Sequence, residues 1–169
     1  MNENEVIVSF NVSSLYTNVP VQEAIEHCTN LLFSGNYKKP PVDRETFQKL
    51  LTACTCDVIM STSVGYYRQI DGLAMGSPPA PLITNGWLSK YDYEIQGNAS
   101  MYFRYMDDII REIDQDHVQT KLQEINSLHP SLKFTIEEEI DCLIPFLDMK
   151  IICTNHKLVS TWYTKPTDA

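Results

Sequence analysis

The chain has 169 residues, of which 43% are hydrophobic and 10% aromatic, and this is enough for one globular domain over residues 1–169 with its own buried core. No apolar run approaches the roughly 20 residues that cross a bilayer, and the polar start of the chain lacks the pattern of a signal peptide. We therefore expect no membrane partner and an intracellular location, in the nucleus or the cytoplasm. The net charge of −9 and the pI of about 4.8 argue against a protein that grips nucleic acid mainly through its phosphates.

The cysteines and histidines show no metal-binding pattern. The five cysteines are an odd number without zinc-like spacing, and the four histidines are scattered. Reduced core thiols of an intracellular protein are the expected role of the cysteines. They are Cys28, Cys54, Cys56, Cys142 and Cys153.

The first part of the chain predicts a strand followed by a helix. Residues 6–10 are a short β-branched run typical of a buried strand, and this strand ends at Asn11. After a polar loop, apolar residues recur at helical spacing over residues 21–32, and Pro20 suits the start of that helix.

A second helix is predicted after Asp43, which is placed to cap it. Phe47, Leu50, Leu51 and Cys54 recur on one face of this helix. We expect that face to belong to the core.

A hairpin and a glycine- and proline-rich loop come next. Residues 58–60 and 66–69 predict two paired strands, and residues 71–81 cannot begin as a regular helix. The Gly76-Ser77 step has two interpretations: backbone N–H groups free to meet an anion or a nucleic-acid backbone, or an ordinary loop with a helix cap. The helical face predicted after the loop carries Leu82, Ile83, Trp87 and Tyr91.

Asp107 and Asp108 stand between two runs rich in aromatic and β-branched residues, a pattern that predicts strand, tight turn, strand with both acids at the tip. Adjacent carboxylates repel, so one is protonated, both are solvated, or a divalent cation holds them. A plain polar hairpin turn is the simplest alternative.

The remaining chain predicts a helix over residues 118–125 and strands over residues 132–137, 146–152 and 158–163. Together with the earlier elements, this order predicts an α+β fold in which helices pack on one face of a mainly antiparallel sheet.

Three stretches in this order resemble the palm of a reverse transcriptase, most closely that of the Penelope-like retroelement group. The stretches are Phe10-Asn11-Val12-Ser13-Ser14-Leu15-Tyr16-Thr17-Asn18-Val19-Pro20, Gly72-Leu73-Ala74-Met75-Gly76-Ser77-Pro78-Pro79-Ala80-Pro81 and Phe103-Arg104-Tyr105-Met106-Asp107-Asp108-Ile109-Ile110. Segments at residues 134–139, 145–148 and 164–167 also look like this group. The resemblance implies a ferredoxin-like polymerase palm, with the fingers and thumb of a complete enzyme largely absent.

The resemblance also implies a two-metal site for Mg²⁺ or Mn²⁺. Asp107 would bridge the metals, Asp108 would assist, and the Val12 carbonyl and Asn11 would be further ligands, because acids and hard oxygens are what Mg²⁺ binds. Tyr16 would lie under the incoming sugar and select deoxynucleotides.

By the same resemblance, the second stretch contacts the template and primer. The residues concerned are Gly72, Met75, Gly76 and Ser77. The implied partners are an RNA or DNA template with its primer and deoxynucleoside triphosphates.

Two positions depart from the family pattern. Asn11 stands where the family has aspartate, so the site loses a formal negative charge and binds a dication more weakly. Pro79 stands where a larger apolar residue is usual.

Three hypotheses therefore remain. The first is the palm of an RNA-directed DNA polymerase with impaired activity. The second is a catalytically dead retroelement remnant that acts only as a binding or structural module. The third is an unrelated ferredoxin-like binding module in which Asp107 and Asp108 form only a turn. The third hypothesis predicts Asn11 far from Asp107 and Asp108, whereas the first two predict that these residues converge.

Overall fold

The computed structural model of the chain describes residues 4–154 and 157–163. The chain forms two compact units: the first joins Met1–Ser13 to Tyr93–Ala169, and the second is Ser14–Asp92. The segment at residues 164–167, which resembles the retroelement group, lies outside the described residues. The helices are α1 (Leu15–Asn18), α2 (Val21–Phe33), α3 (Arg44–Thr55), α4 (Ala80–Leu88), α5 (Asp92–Gln96) and α6 (Val118–Asn126), with 3₁₀ turns at Ser89–Tyr91 and Gln115–His117. The strands are β1 (Glu5–Val12), β2 (Ile59–Thr62), β3 (Gly65–Arg68), β4 (Tyr102–Tyr105), β5 (Asp108–Asp114), β6 (Phe134–Glu138), β7 (Leu143–Phe146), β8 (Met149–Thr154) and β9 (Lys157–Trp162).

The main sheet of the first unit has the strand order β4-β5-β1-β6, and each neighbouring pair is antiparallel. β1 is buried on both faces because Ile7 points to one face and Val8 and Phe10 point to the other. Phe10 pairs with Ile109 of β5 and with Ile136 of β6. The predicted α+β fold with a mainly antiparallel sheet is confirmed.

One face of this sheet is covered by the hairpin of β7 and β8. Ile144 and Phe146 of β7 form a buried cluster with Ile7 and Ile110 of the sheet. This packing is the reason that β7 holds a fixed position against β1.

α6 lies beside β6 in the same unit. Its residues Val118 and Ile125 are buried, and the side chain of Asn126 bonds to both backbone groups of Phe134, at 2.8 Å from its N and 3.2 Å from its O. The helix predicted over residues 118–125 is confirmed.

The single strand predicted over residues 146–152 is wrong, because the chain turns back at Leu147 and Asp148. Leu147 has a φ of +55°, and Phe146 pairs with Met149 directly across the turn. Leucine seldom adopts this conformation, so the sequence of residues 146–152 predicts one continuous strand. The strand β7 before the turn was missed for the same reason.

In the second unit, α2 and α4 pack around a fully buried tryptophan. Trp87 Nε1 donates to Glu23 Oε1 at 3.0 Å, and Lys90 Nζ donates to the same oxygen at 3.0 Å. Asp43 caps α3 as predicted, since its Oδ1 accepts from Thr46 N at 2.9 Å.

The expectation that the apolar face of α3 is a core face is partly wrong. Leu50 is 53% exposed and Cys54 is also exposed, and on α4 the predicted helical face includes Leu82, which is 77% exposed. On α3 the buried residue is Thr55. Helical spacing identifies which residues share a face, but it does not show what covers that face.

Candidate functional site

Asn11 and the two aspartates converge in the first unit. Asn11 and Asp108 are the last partners of the β1–β5 ladder, and the backbone N of Val12 donates to the backbone O of Asp107 at 3.0 Å. The predicted convergence is confirmed, and the unrelated-module hypothesis, which placed Asn11 far from these acids, is wrong on this point.

A two-residue turn positions the acids. Tyr105 pairs with Asp108, which leaves Met106 and Asp107 as the turn between β4 and β5. Met106 has a φ of +56°, and Arg104 Nη1 donates to the Met106 carbonyl at 3.3 Å. The predicted strand, turn and strand are confirmed, with Asp108 as the first residue of β5 rather than part of the turn.

The Asn11 side chain is bonded directly to Asp108. Its Nδ2 donates to Asp108 Oδ1 at 2.9 Å, and both side chains are half-buried. A hydrogen bond to a charged group contributes about 1.5–3 kcal/mol. An aspartate at position 11 could not donate, and its charge would repel Asp108 across the strand pair.

The oxygen donors at this end of the sheet suit one weakly held hard cation better than two. Asp107 and Asp108 supply carboxylates, and the Asn11 amide and the Val12 carbonyl are neutral oxygens of the kind that Mg²⁺ accepts. Within the part of the chain that the structure describes, no three His, Cys, Asp or Glu side chains are grouped so as to hold a metal. The Asn11 amide also directs an N–H at the Asp108 oxygen. The residues therefore fit a single ion and lack one carboxylate for a pair.

A cavity of about 640 Å³ opens beside Asn11 and Asp108 within the first unit. Its polar side comes from alternate residues of neighbouring strands, including Ser9, Thr135 and Glu137. Its apolar side comes from the end of the β7–β8 hairpin and from Tyr163, and it includes Pro145, Phe146 and Leu147.

Glu137 and Phe146 were missed as candidate residues of this site. Asn11 pairs with Thr135 and Ser9 pairs with Glu137, so the strand period places these side chains on one face. That alternation on β6 was visible in the sequence and could have indicated Glu137. Phe146 gave no such signal because the turn after it was read as strand.

The remaining candidate residues lie in the second unit, where Tyr16 and Gly72 are brought together. A Cβ on Gly72 would lie 2.5 Å from the Thr17 carbonyl oxygen, and the φ of Gly72 is +69°. Leu73 N donates to the Tyr16 carbonyl at 2.7 Å. The glycine is therefore needed for packing of the two motif stretches against each other.

Met75 and Ser77 follow in the same loop. Met75 is 72% exposed. Ser77 N donates to the Ala74 carbonyl at 2.9 Å and Ser77 Oγ donates to the Cys54 carbonyl at 3.2 Å. The interpretation in which the Gly76-Ser77 step leaves free backbone donors is wrong for Ser77, whose N–H closes a turn.

The acidic balance of the chain is concentrated in the first unit, which carries nearly all of the net negative charge. The second unit has almost equal numbers of acidic and basic residues. Phosphate groups would therefore meet less repulsion at the second unit. Among the described residues, no helix is both long and apolar enough to cross a membrane.

Comparison with known proteins shows the fold. No protein-family model matches the chain, and no match is found among curated proteins. The chain is similar to the apo telomerase of Candida tropicalis, with a TM-score of 0.69, 11% identity and coverage of 94% of this chain and 33% of that one. It is also similar to that telomerase truncated from its C-terminal domain, with a TM-score of 0.64, 13% identity and coverage of 93% and 35%. For the Candida albicans telomerase in complex with the TWJ fragment of telomeric RNA, the TM-score is 0.66 at 11% identity, with coverage of 92% and 31%.

The similarity at these identities defines the class of fold and no more. The chain has a palm-like α+β fold that is similar to part of these telomerase structures. It spans about a third of the length of the telomerase chains that it matches.

Proposed function

We propose that the chain is the palm region of a reverse transcriptase from the Penelope-like retroelement group, an RNA-directed DNA polymerase. The observation that carries this proposal is the convergence of Asn11 and Asp108 at paired strand ends, because the resemblance of the three motif stretches requires it. The palm-like fold is a second, independent support.

Asp107, Asp108 and Asn11, with the Val12 carbonyl, are the residues that would hold Mg²⁺ or Mn²⁺. When bound, the metal would activate a primer hydroxyl and neutralise phosphate charge. The β4–β5 turn holds the two acids at one end of the sheet, and the Asn11–Asp108 hydrogen bond orients the Asp108 carboxylate.

The second unit supplies the residues proposed for substrate contact. Tyr16 selects deoxynucleoside triphosphates by blocking a 2′-hydroxyl. An RNA or DNA template with its primer is contacted by Gly72, Met75, Gly76 and Ser77. The main role of Gly72 in this loop is to allow close approach to Thr17.

Asn11 weakens the site because an amide replaces a carboxylate. If the missing carboxylate matters as much as other single groups that stabilise transition-state charge, the rate of nucleotidyl transfer falls by about a hundredfold or more. The hydrogen bond from Asn11 Nδ2 to Asp108 Oδ1 favours a second candidate function, a non-catalytic remnant that only binds nucleic acid or a partner. In that state the amide occupies a carboxylate oxygen that a metal would need.

Primer extension tests the proposal. The chain and its Asn11→Asp variant are compared within a complete polymerase of the Penelope-like group, with Mg²⁺, a primed template and deoxynucleoside triphosphates, and Asp108→Asn is the matched control. We expect Asn11→Asp to extend the primer about a hundredfold faster than the native residue and Asp108→Asn to abolish extension. Equal rates for asparagine and aspartate at position 11 would contradict the proposal, and binding of the primed template without extension by either would support the remnant.

A further inference from the structure

Cys142 and Cys153 lie beside each other at the open end of the β7–β8 hairpin. The last ladder pair of that hairpin is Leu143 with Ile152, and the two cysteines lie one step beyond it. Cys153 N donates to the Cys142 carbonyl at 2.8 Å. Covalent geometry then keeps the two α-carbons at most about 6.7 Å apart, which is within the range of about 4.4–6.8 Å that a disulfide spans.

The two thiols differ in their access to solvent. Cys142 is exposed, and it lies in a tight turn in which Asp141 has a φ of +53° and Cys142 a φ of +59°. Ile140 and Leu143 exchange backbone hydrogen bonds across this turn at 2.9 and 3.0 Å. The expectation that the cysteines are core thiols is therefore wrong for Cys142, whose side chain is open to reagents in solution, and it is also wrong for the exposed Cys54.

Cys153 is half-buried in β8. Burial raises the pKa of its thiol, and the nearby Glu139 and Cys142 raise the pKa further. Because the thiolate is the reactive form, the exposed Cys142 reacts first and Cys153 second.

We propose that Cys142 and Cys153 form a modification site: a thiol pair that a small-molecule disulfide of the glutathione class oxidises to a disulfide. The Cys142 thiolate attacks one sulfur of the oxidised glutathione, and one reduced glutathione leaves. The Cys153 thiolate then attacks the Cys142 sulfur of the mixed disulfide, and the second reduced glutathione leaves. The two protein thiols lose two electrons and two protons in total, and the glutathione disulfide gains them.

The bond would close the β7–β8 hairpin covalently. This hairpin places Ile144 and Phe146 on the sheet, and Phe146 also lines the cavity beside Asn11. Oxidation therefore adds a covalent restraint to the hairpin that supplies the apolar side of that cavity. A disulfide in a strained turn at the protein surface is of the labile kind that small thiols reduce.

The test is peptide mapping of the 169-residue chain after incubation in glutathione redox buffers. Remaining thiols are alkylated, the protein is digested, and peptides that link residues 142 and 153 are quantified by mass spectrometry. The same incubation in urea measures how much linkage depends on the fold. The Cys54→Ser/Cys56→Ser double variant is the matched control. It removes two other cysteines that are close to each other in sequence, and it leaves Cys142 and Cys153 intact.

We expect the 142–153 linked peptide to predominate in the native protein and in the control variant, and to fall at least tenfold in urea. Cys153→Ser should instead retain a glutathione adduct on Cys142. The oxidised native protein should melt several degrees higher than the reduced protein, and Cys142→Ser should show no such shift. A native protein that carries glutathione on Cys142 without the linked peptide, or that links as readily in urea, would overturn the proposal.

Discussion

Asn11 Nδ2 lies 2.9 Å from Asp108 Oδ1 at the end of the β1–β5 ladder, so an amide donor faces a carboxylate acceptor across two paired strands. This contact stabilises the strand ends without a cation. A metal site would be expected to behave differently, because two carboxylates repel each other until a bound cation neutralises their charge.

Asn11→Asp should make the stability of the protein depend on divalent cations. The change removes a hydrogen bond to a charged group and places like charges opposite each other, which costs about 2 kcal/mol in EDTA. Mg²⁺ at 100 times its Kd should stabilise the variant by about 2.7 kcal/mol, which more than offsets that loss. Thermal melts with EDTA and with Mg²⁺ measure both effects, and Asn11→Ala is the control that loses the hydrogen bond without gaining Mg²⁺ dependence. A melt of Asn11→Asp that is indifferent to Mg²⁺ would count against a metal site.

The Met106 turn should tolerate glycine and resist valine. Met106 has a φ of +56°, where a β-branched side chain is strained, so Met106→Val should cost about 1–2 kcal/mol. Met106→Gly should be neutral or slightly stabilising. Urea denaturation gives both values, and Met75→Val, at a residue that is 72% exposed, should change stability by less than about 0.5 kcal/mol. Equal losses for the two valine variants would show that the turn is not strained.

Gly72→Ala and Gly76→Ala should differ sharply although both glycines belong to one loop. A Cβ at Gly72 would lie 2.5 Å from the Thr17 carbonyl oxygen with the backbone at a φ of +69°, whereas a Cβ at Gly76 would meet nothing within 4 Å. We expect Gly72→Ala to destabilise the protein by about 2–4 kcal/mol and Gly76→Ala by less than about 0.5 kcal/mol. Denaturant midpoints measure the loss of stability in each variant. Similar losses for the two variants would contradict the packing role of Gly72.

His27 should make the protein less stable as the solution becomes mildly acidic. Burial lowers the pKa of His27 below its ordinary value of 6.5, and Lys90 lowers it further while Glu23 opposes them. The folded state therefore favours the neutral imidazole, so its contribution to stability is present above pH 6.5 and is lost as the pH falls below that value. His27→Gln removes this titration, and melting temperatures between pH 7.5 and 5.5 should fall less steeply for the variant. If the melting temperatures of the native protein and of His27→Gln fall equally over this pH range, His27 is not the group that causes the loss of stability.

The convergence of the site could be predicted from the sequence. A β-branched run that ends at Asn11 and a hairpin tip at Asp107 and Asp108 are local patterns, and the resemblance of the three motif stretches to a polymerase palm predicts that these patterns meet in one sheet. The direction of the Asn11 amide could not be predicted, because the same residue can offer its oxygen to a cation or its N–H to a carboxylate. Only the side-chain contact with Asp108 shows that it donates.

Other parts of the fold were beyond the reach of the sequence for different reasons. The chain turns at Leu147, which has a φ of +55°, and leucine as a residue type does not predict a turn in this conformation. Leu50 and Leu82 have the spacing of core residues but are exposed. Their positions depend on which neighbouring elements cover each helix face, and periodicity carries no information about that.

The affinity of the chain for Mn²⁺, read from the paramagnetic resonance of the free ion, measures the proposed metal site itself. If Asn11, Asp107 and Asp108 form a polymerase metal site that lacks one carboxylate, Asn11→Asp should bind Mn²⁺ at least about tenfold more tightly than the native chain, since it adds a charged oxygen donor. The Asn11→Asp/Asp108→Asn double variant should lose that gain. Equal affinity for the native chain and Asn11→Asp, or tight binding that survives the loss of Asp108, would show that Asn11, Asp107 and Asp108 do not form this metal site.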